Sequence, residues 1–307
     1  MSACPVSLPP DLQFIERGWL SANNTVFTGT TTAVVDTGYC THAKQTVALV
    51  ESALQGAPLS RIVNTHLHSD HCGGNAALQQ RWPQVRTSIA PGHAHAVANW
   101  DEALLTYAPT GQNCPRFQLD DVLQPGTDTQ LGDLLWQVHA APGHDPHSVI
   151  LFEPQSRTLI SADALWENGF GVVFPEIEGI AAFDEVAATL NVIEQLHPAV
   201  VLPGHGSLFT DVETALATAR RRLDGFVQSP ERHALYAAKV LLKYKLLEWQ
   251  QLPLTQIHAW LAATPYYGML HKNYFSGQPE LVWHASLIAD LERSGAAVRQ
   301  GDLLVNQ

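Results

Sequence analysis

The sequence predicts a layered α/β or α+β domain followed by a separate, mainly helical segment. Three observations carry this expectation. Short β-branched runs bounded by Gly, Pro and Asp recur through the first 210 residues, mixed with helical stretches in two halves. That mixture is not the strict β–α alternation of a plain doubly wound sheet. After about residue 212 helical patterns dominate. The 307 residues suit a main domain of about two hundred residues with a smaller one behind it. The domains are therefore expected at 1–212 and 213–307.

Taken in order, "NTVFTG" and "TTAVVDTG" read as strands, and Thr41 is expected to cap the helix "HAKQTVALVESAL". "SRIVNT" is a strand that ends at His66, "VRTSIA" a strand, and "AHAVANWDEALL" a helix. "TQLG", "LLWQVHAA", "SVILFE" and "TLISAD" form a run of strands. "FDEVAATLNVIEQL" is helical and "AVVLP" extended. Beyond residue 212 come "DVETALATARRRLDGFV", "RHALYAAKVLLKYKLLEW", "LTQIHAWLAA" and "ELVWHASLIADLERSG", all helical, then a two-stranded turn around "QGD". The stretch 264–275, "TPYYGMLHKNYF", reads as a loop that could line a pocket.

Composition narrows the function. Charged residues are 15% and apolar residues 46%, which favours a folded core over disorder. The net charge of −12 repels nucleic acid and anionic membranes, so neither is an expected partner. Residues 1–229 carry 10 basic and 23 acidic groups and residues 230–307 carry 7 and 6, so the acidity lies in the first part. Residues 220–245 hold seven bases against two acids, either a solvated helix face or a site for an anionic substrate group. Cys4, Cys40, Cys72 and Cys114 form no CxxC pair and suggest no disulfide scaffold. The N-terminus lacks a basic start followed by an apolar run, and no stretch of about eighteen apolar residues exists. A reduced, cytoplasmic protein is expected.

The chemistry concentrates in "NTHLHSDHCGGN", residues 64–75. His66, His68, Asp70 and His71 follow one strand, His144 follows a second, Asp163 a third and His205 a fourth. A strand end holds a ligand rigidly while its loop leaves coordination positions open. Neutral imidazole and carboxylate suit Zn²⁺ and its neighbours. A catalytic zinc usually takes three protein ligands and a water, so seven ligands point to two ions with one shared carboxylate. His66 and His68 fall on one side of an extended segment, whereas the adjacent Asp70 and His71 must diverge.

H-x-H-x-D-H, then "PGH", then a strand-terminal Asp, then "PGHG" resembles the metallo-β-lactamase superfamily, in its dinuclear hydrolase branch of thioester and lactone hydrolases. The resemblance covers about residues 20–210. It implies a four-layer αββα sandwich with the metals at one edge. It implies that His66, His68 and His144 hold one metal, that Asp70, His71 and His205 hold the other, and that Asp163 bridges them. The last histidine in "LPGHG" departs from glyoxalase II proper. The HxHxDH pattern with Asp163 departs from the β-lactam-hydrolysing enzymes, and His68 departs from the flavodiiron proteins. The C-terminal order of helix, helix and hairpin resembles the winged-helix extension of some relatives.

The expected activity is that of a metal-dependent hydrolase. Two divalent ions, Zn²⁺ with Fe or Mn as alternatives, hold a hydroxide that cleaves a thioester, lactone or similar small carboxylic ester. Asp70 is the candidate catalytic residue that steers the proton. The expected partners are a small-molecule substrate and, as in related proteins, a second copy in a homodimer. The rival readings are an endoribonuclease or phosphodiesterase with the same centre, a mononuclear iron dioxygenase, and a non-catalytic regulatory protein. His93 and His95 open a helix and read as structural, His147 as a residue beside the ligands, and Cys72 as packing. Gly73 and Gly74 are expected to let the backbone turn into the next helix. Trp166, Phe170 and Phe174 are either core or the wall of a substrate pocket.

Overall fold

The computed structural model describes residues 8–307, so Cys4 and the first seven positions of the N-terminal stretch lie outside the described residues. Two compact units emerge. One takes the chain to Leu105 and then Cys114–Asp224; the other is Thr106–Asn113 with Gly225–Gln307.

The first unit contains two sheets. β1 (Leu12–Ile15), β2 (Asn24–Phe27), β3 (Ala33–Val35), β4 (Arg61–Val63), β5 (Arg86–Ile89) and β6 (Asp121–Val122) lie side by side in that order. β1 to β3 pair antiparallel and β3 to β6 parallel. The parallel steps need crossovers, supplied by α1 (Ala43–Leu54), by α2 (Ser69–Cys72) with α3 (Asn75–Arg81), and by a connection containing α4 (Ala94–Asn99). The second sheet runs β11-β10-β9-β8-β7, from β7 (Asp128–Leu131), β8 (Leu134–Ala140), β9 (Val149–Glu153), β10 (Thr158–Ala162) and β11 (Val200–Pro203). Only β10 and β11 pair parallel, joined through α5 (Phe174–Ile177) and α6 (Phe183–Leu196).

Burial explains the layers. β9, β10 and β11 are buried at every position, which is why "VILFE", "TLISA" and "VVLP" read as apolar runs without alternation. Phe27, Val35 and Val63 of the first sheet pack with Trp136, Val138, Leu151, Ile160 and Leu202 of the second in one core. The other face of the first sheet, with Val26, Val34 and Ile62, packs on Val50 and Leu54 of α1 and Leu78 of α3. α6 buries Val186, Leu190 and Ile193 and ties down its neighbour through Thr189 Oγ1, which donates to Pro142 O at 2.8 Å. The architecture is the αββα sandwich.

α7 (Val212–Gln228) carries the step between the units at Asp224 and Gly225. The second unit holds α8 (Pro230–Trp249), β12 (Gln251–Pro253), α9 (Leu254–Ala263), α10 (Pro265–Leu270), a π-helical turn at His271–Phe275, α11 (Glu280–Arg293), β13 (Ala297–Gln300) and β14 (Leu303–Asn306). Its sheet order is β12-β14-β13, all antiparallel. Gly301, at φ +65°, makes the two-residue turn between β13 and β14, as "QGD" suggested. Ile257, Leu261, Tyr267, Trp283 and Leu287 are buried within it.

Four local expectations fail for physical reasons. The helix expected over 94–105 stops at Asn99, where Trp100 turns left-handed at φ +55°. Asp101 Oδ1 then accepts from the backbone N–H groups of Ala103 (3.1 Å) and Leu104 (3.2 Å), a local alternative to helical bonding. Thr41 lies inside a 3₁₀ turn at Cys40–His42, and α1 starts with His42 as N-cap and no side-chain cap bond. The stretch 264–275 is helical, with Pro265 at the start of α10. Gly73 and Gly74 have ordinary negative φ. They are glycines because a Cβ would lie 2.5 Å from Cys40 N and 2.4 Å from Thr37 O respectively.

Candidate metal centre

The seven predicted residues converge at one edge of the sandwich. His66 and His68 follow β4. Asp70 and His71 sit on the single turn α2, so their side chains diverge. His144 follows β8, Asp163 follows β10 and His205 follows β11. Two strand ends, one of them that of β3, turn sharply. Ala162 stands at φ +46° beside a register shift between Ile160 and Ala162 where β10 meets β11, which delivers Asp163 into the site. Asp36, just beyond β3, stands at φ +56°. A non-glycine residue held there costs about 1–2 kcal/mol, and such strain gathers at functional sites.

Donor atoms form three overlapping groups, each within 4.8 Å: His66, His68 and His144; His66, His71 and Asp163; Asp70, His71 and His205. His66 Nε2 lies 3.0 Å from His68 Nδ1 and 3.3 Å from His144 Nε2. Asp163 reaches both sides. Its Oδ1 is 3.4 Å from His71 Nε2 and 3.9 Å from His205 Nε2, and its Oδ2 is 3.4 Å from His144 Nε2. Asp70 Oδ2 is 3.0 Å from His205 Nε2. Only His68 and Asp70 of the seven are less than fully buried.

The far sides of the rings show why a cation fits. His71 Nδ1 donates to Asp36 Oδ2 at 2.8 Å, and His144 Nδ1 donates to Val172 O at 2.5 Å. Thr65 donates its hydroxyl to Asp36 Oδ2 (2.8 Å), so its oxygen is free to accept from His66 Nδ1 at 3.2 Å. With Nδ1 bonded from behind, Nε2 of each ring faces the site, and it is the nitrogen whose lone pair a metal would take once the ring is neutral. Two such nitrogens facing each other at 3.3 Å repel unless a cation or proton lies between them. His71 Nε2 is buried without a hydrogen-bond partner. Glycines leave the room: a Cβ on Gly204 would lie 2.2 Å from Asp163 Oδ1, and one on Gly171 2.4 Å from His144 Nδ1. The donor set fits divalent metal.

Protonation follows from the same geometry. Burial and the neighbouring rings hold His66 well below its ordinary value, and burial with His144 holds His68 down at about 4. Burial alone would also lower His71, but Asp163, Asp36 and Asp70 outweigh it and raise the ring well above its ordinary value. Burial would raise both carboxyls; the facing histidines, His71 foremost, instead hold Asp163 well below and Asp70 below the usual range.

Other predicted positions sort cleanly. Phe170 is core. Trp166 Nε1 donates to Asp163 Oδ1 at 3.2 Å, and Phe174 packs edge-on against His68 and His144, so these two line the site. His93 is the N-cap of α4, and its ring meets that of His147 at 4.7 Å. His95 is exposed beside Asn99. Cys72 is buried with Sγ 3.7 Å from Cys114 Sγ, and both are free thiols outside the donor groups. Of the basic stretch, Arg220 pairs with Glu194 at 2.9 Å, Lys239 with Asp290 at 3.7 Å and Lys245 with Glu248 at 2.5 Å. Arg222 lies over the Phe170 ring, while Arg221 and Arg232 are exposed. Much of the apparent charge is spent on structure. Asp36, Thr65 and Trp19 escaped the sequence reading. Asp36 carried the same signal as the candidate ligand Asp163, a carboxylate directly after a strand run.

No helix among the described residues is long and apolar enough to cross a membrane. A family model described as "Metallo-beta-lactamase superfamily" matches residues 17–205, from the turn before β2 to the last histidine of the site. The chain is 26% identical over 178 residues to "Probable metallo-hydrolase YybB" of Bacillus subtilis (strain 168), covering 56% of this chain and 74% of that protein. It is 33% identical over 123 residues to a hydroxyacylglutathione hydrolase of Nostoc sp. (strain PCC 7120), covering 38% of this chain and 40% of that enzyme. The match thus spans well under half of the Nostoc enzyme. Among solved structures, a beta-lactamase domain protein from Burkholderia ambifaria superposes with a TM-score of 0.59 at 20% identity, over 98% of this chain and 94% of that one. That likeness speaks for the fold, including the part beyond residue 205. From strand-end ligands, sandwich layers and family match together, the chain belongs to the metallo-β-lactamase superfamily.

Proposed function

We propose that the chain is a dinuclear metal-dependent hydrolase of ester-type bonds: a thioester, a lactone or a similar small carboxylic ester. The single observation that supports it most is Asp163, whose two carboxylate oxygens face different histidines, Oδ1 toward His71 and His205 and Oδ2 toward His144. A carboxylate so placed suits a bridge between two ions. On this reading His66, His68 and His144 hold one ion, Asp70, His71 and His205 the other, and Zn²⁺ is the expected metal with Fe or Mn as alternatives. Divalent ions held there supply water activation near neutral pH and polarise a carbonyl oxygen.

The chain's own residues do the rest. Asp36 and Val172 O orient the rings of His71 and His144 from behind. Asp70, less buried than Asp163, is the group that takes and steers the nucleophile's proton. Phe174 and Trp166 keep apolar surface beside the reacting carbonyl. Relatives named as metallo-hydrolase and hydroxyacylglutathione hydrolase support hydrolysis as the reaction class. The net charge of −12 speaks for a small substrate over RNA.

The test is metal analysis by mass spectrometry on wild type and Asp163→Ala, purified without chelator or resin metal, followed by a thioester and lactone panel. About two ions per chain, falling in the variant, and turnover of an ester-type substrate are expected. One iron per chain, or cleavage confined to a bis-aryl phosphodiester control, would overturn the proposal.

A further inference from the structure

Residues 17–24 form a pinned turn beside the site. Arg17 Nη1 donates to Asn24 Oδ1 at 2.5 Å and Thr46 Oγ1 at 3.0 Å, and Arg17 N donates to Asn23 Oδ1 at 2.8 Å. Ser21 N closes on Gly18 O at 2.9 Å. Ala22 N donates to Asp70 O at 3.0 Å and Asn23 N to Gly204 O at 2.7 Å, so the turn is tied to the two loops that carry Asp70 and His205. Asn23 Nδ2 adds bonds to Pro203 O and Gly206 O.

At the tip of this turn is Trp19. Its ring stacks on His205, centroids 5.3 Å apart and planes within 4°. Trp166 stands edge-on to both, 5.5 Å from each. Trp19 nevertheless remains 55% exposed. An isolated exposed apolar residue is ordinary. A tryptophan fixed by a hydrogen-bonded turn against a ligand ring, with a second tryptophan at its edge, is a preformed aromatic surface. Phe174 provides a matching aromatic contact at His68 and His144. The donor groups therefore have an aromatic wall at His205 and another at His68.

We propose that Trp19 and Trp166 bind the acyl group of the substrate, and that the substrate class is an ester or thioester with an aryl or extended apolar acyl group. This inference rests on the hydrolase reading above. A short acyl group such as acetyl leaves Trp19 in water. A phenylacetyl or hexanoyl group covers it while its carbonyl stays at the donor groups, so the gain appears in KM.

The experiment compares S-acetyl, S-hexanoyl and S-phenylacetyl N-acetylcysteamine on the metal-loaded protein, with thiol release as readout and metal content measured in each variant. Wild type is expected to prefer phenylacetyl over acetyl by about tenfold or more in kcat/KM, mostly through KM. Trp19→Ala is expected to collapse that ratio, and Trp19→Phe to keep most of it. Should both substrates slow together with the ratio unmoved, Trp19 only holds the His205 ring, and the proposal is overturned while the hydrolase reading stands. Should the loaded protein cleave none of the three nor any thioester or lactone of the panel above, the hydrolase reading fails and this inference falls with it. Should it cleave a lactone but none of the three, the hydrolase reading stands and calorimetry with phenylacetate and acetate decides the proposal: tighter binding of phenylacetate that Trp19→Ala abolishes supports it, and equal binding overturns it.

Discussion

His71 shows how one buried ring is held ready. Its Nδ1 is bonded to Asp36 at 2.8 Å, and its Nε2 lies 3.4 Å from Asp163 and 3.9 Å from Asp70. With three carboxylates around it and its pKa raised well above the ordinary value, the metal-free ring carries a proton at neutral pH. Coordination requires that proton to leave. His66 and His68, held low, have none to give. Metal loading at pH 7 is therefore expected to release about one proton through His71. Titration calorimetry in two buffers of different ionisation enthalpy reads that number, and the release should shrink as the pH rises through the raised pKa. Asp36→Ala removes the orienting partner. Its expected effect is a loss of about 10–100-fold in metal affinity, measured by competition with a chelator.

At the scale of elements, the site is a property of strand ends. β3, β4, β10 and β11 are short, three to five residues each, and each hands its side chain to a loop within a few residues. Room at these ends is part of the donor geometry. Gly204 precedes His205, and a Cβ there would meet Asp163 Oδ1 at 2.2 Å and His71 Cε1 at 2.9 Å. Gly204→Ala is expected to fold but to lose most of its metal, because two ligands must move. Gly56→Ala is the control. Gly56 has φ +94° and open space around it, so the change costs about 1 kcal/mol of stability and leaves metal content as it was. Equal metal content in the two variants would argue against a tightly defined donor geometry.

For the whole molecule, the donor groups join both sheets. His66 and His71 follow the first sheet, and His144, Asp163 and His205 follow the second. An ion bound across them would tie together layers that are otherwise joined by the apolar core around Phe27 and Trp136. Ions at a hundred times their dissociation constant add about 2.7 kcal/mol to stability. Chelator treatment is accordingly expected to lower the melting temperature of wild type by several degrees and that of Asp163→Ala by much less, as read by calorimetry.

The sequence by itself determined a layered α/β or α+β class, the helical C-terminal part and the seven candidate residues that the fold brings together, because each signal is local: apolar runs for buried strands, and histidine or aspartate at the step from strand to loop. The αββα sandwich came only with the resemblance of the whole motif set. It also determined α6 and α9 at their observed ends, since their periodicity is unbroken between turn signals. Local competition hid the early stop at Trp100, where Asp101 offers the backbone other bonds. Only the tertiary structure decided the rest. Asp36 bonds His71 across 35 positions of sequence, and Trp19 meets His205 across nearly the whole first unit. The reason why Gly73, Gly74 and Gly204 must be glycine lies in atoms far along the chain or across the site. Such contacts are set by how two sheets pack, and no periodicity within a window of sequence records them.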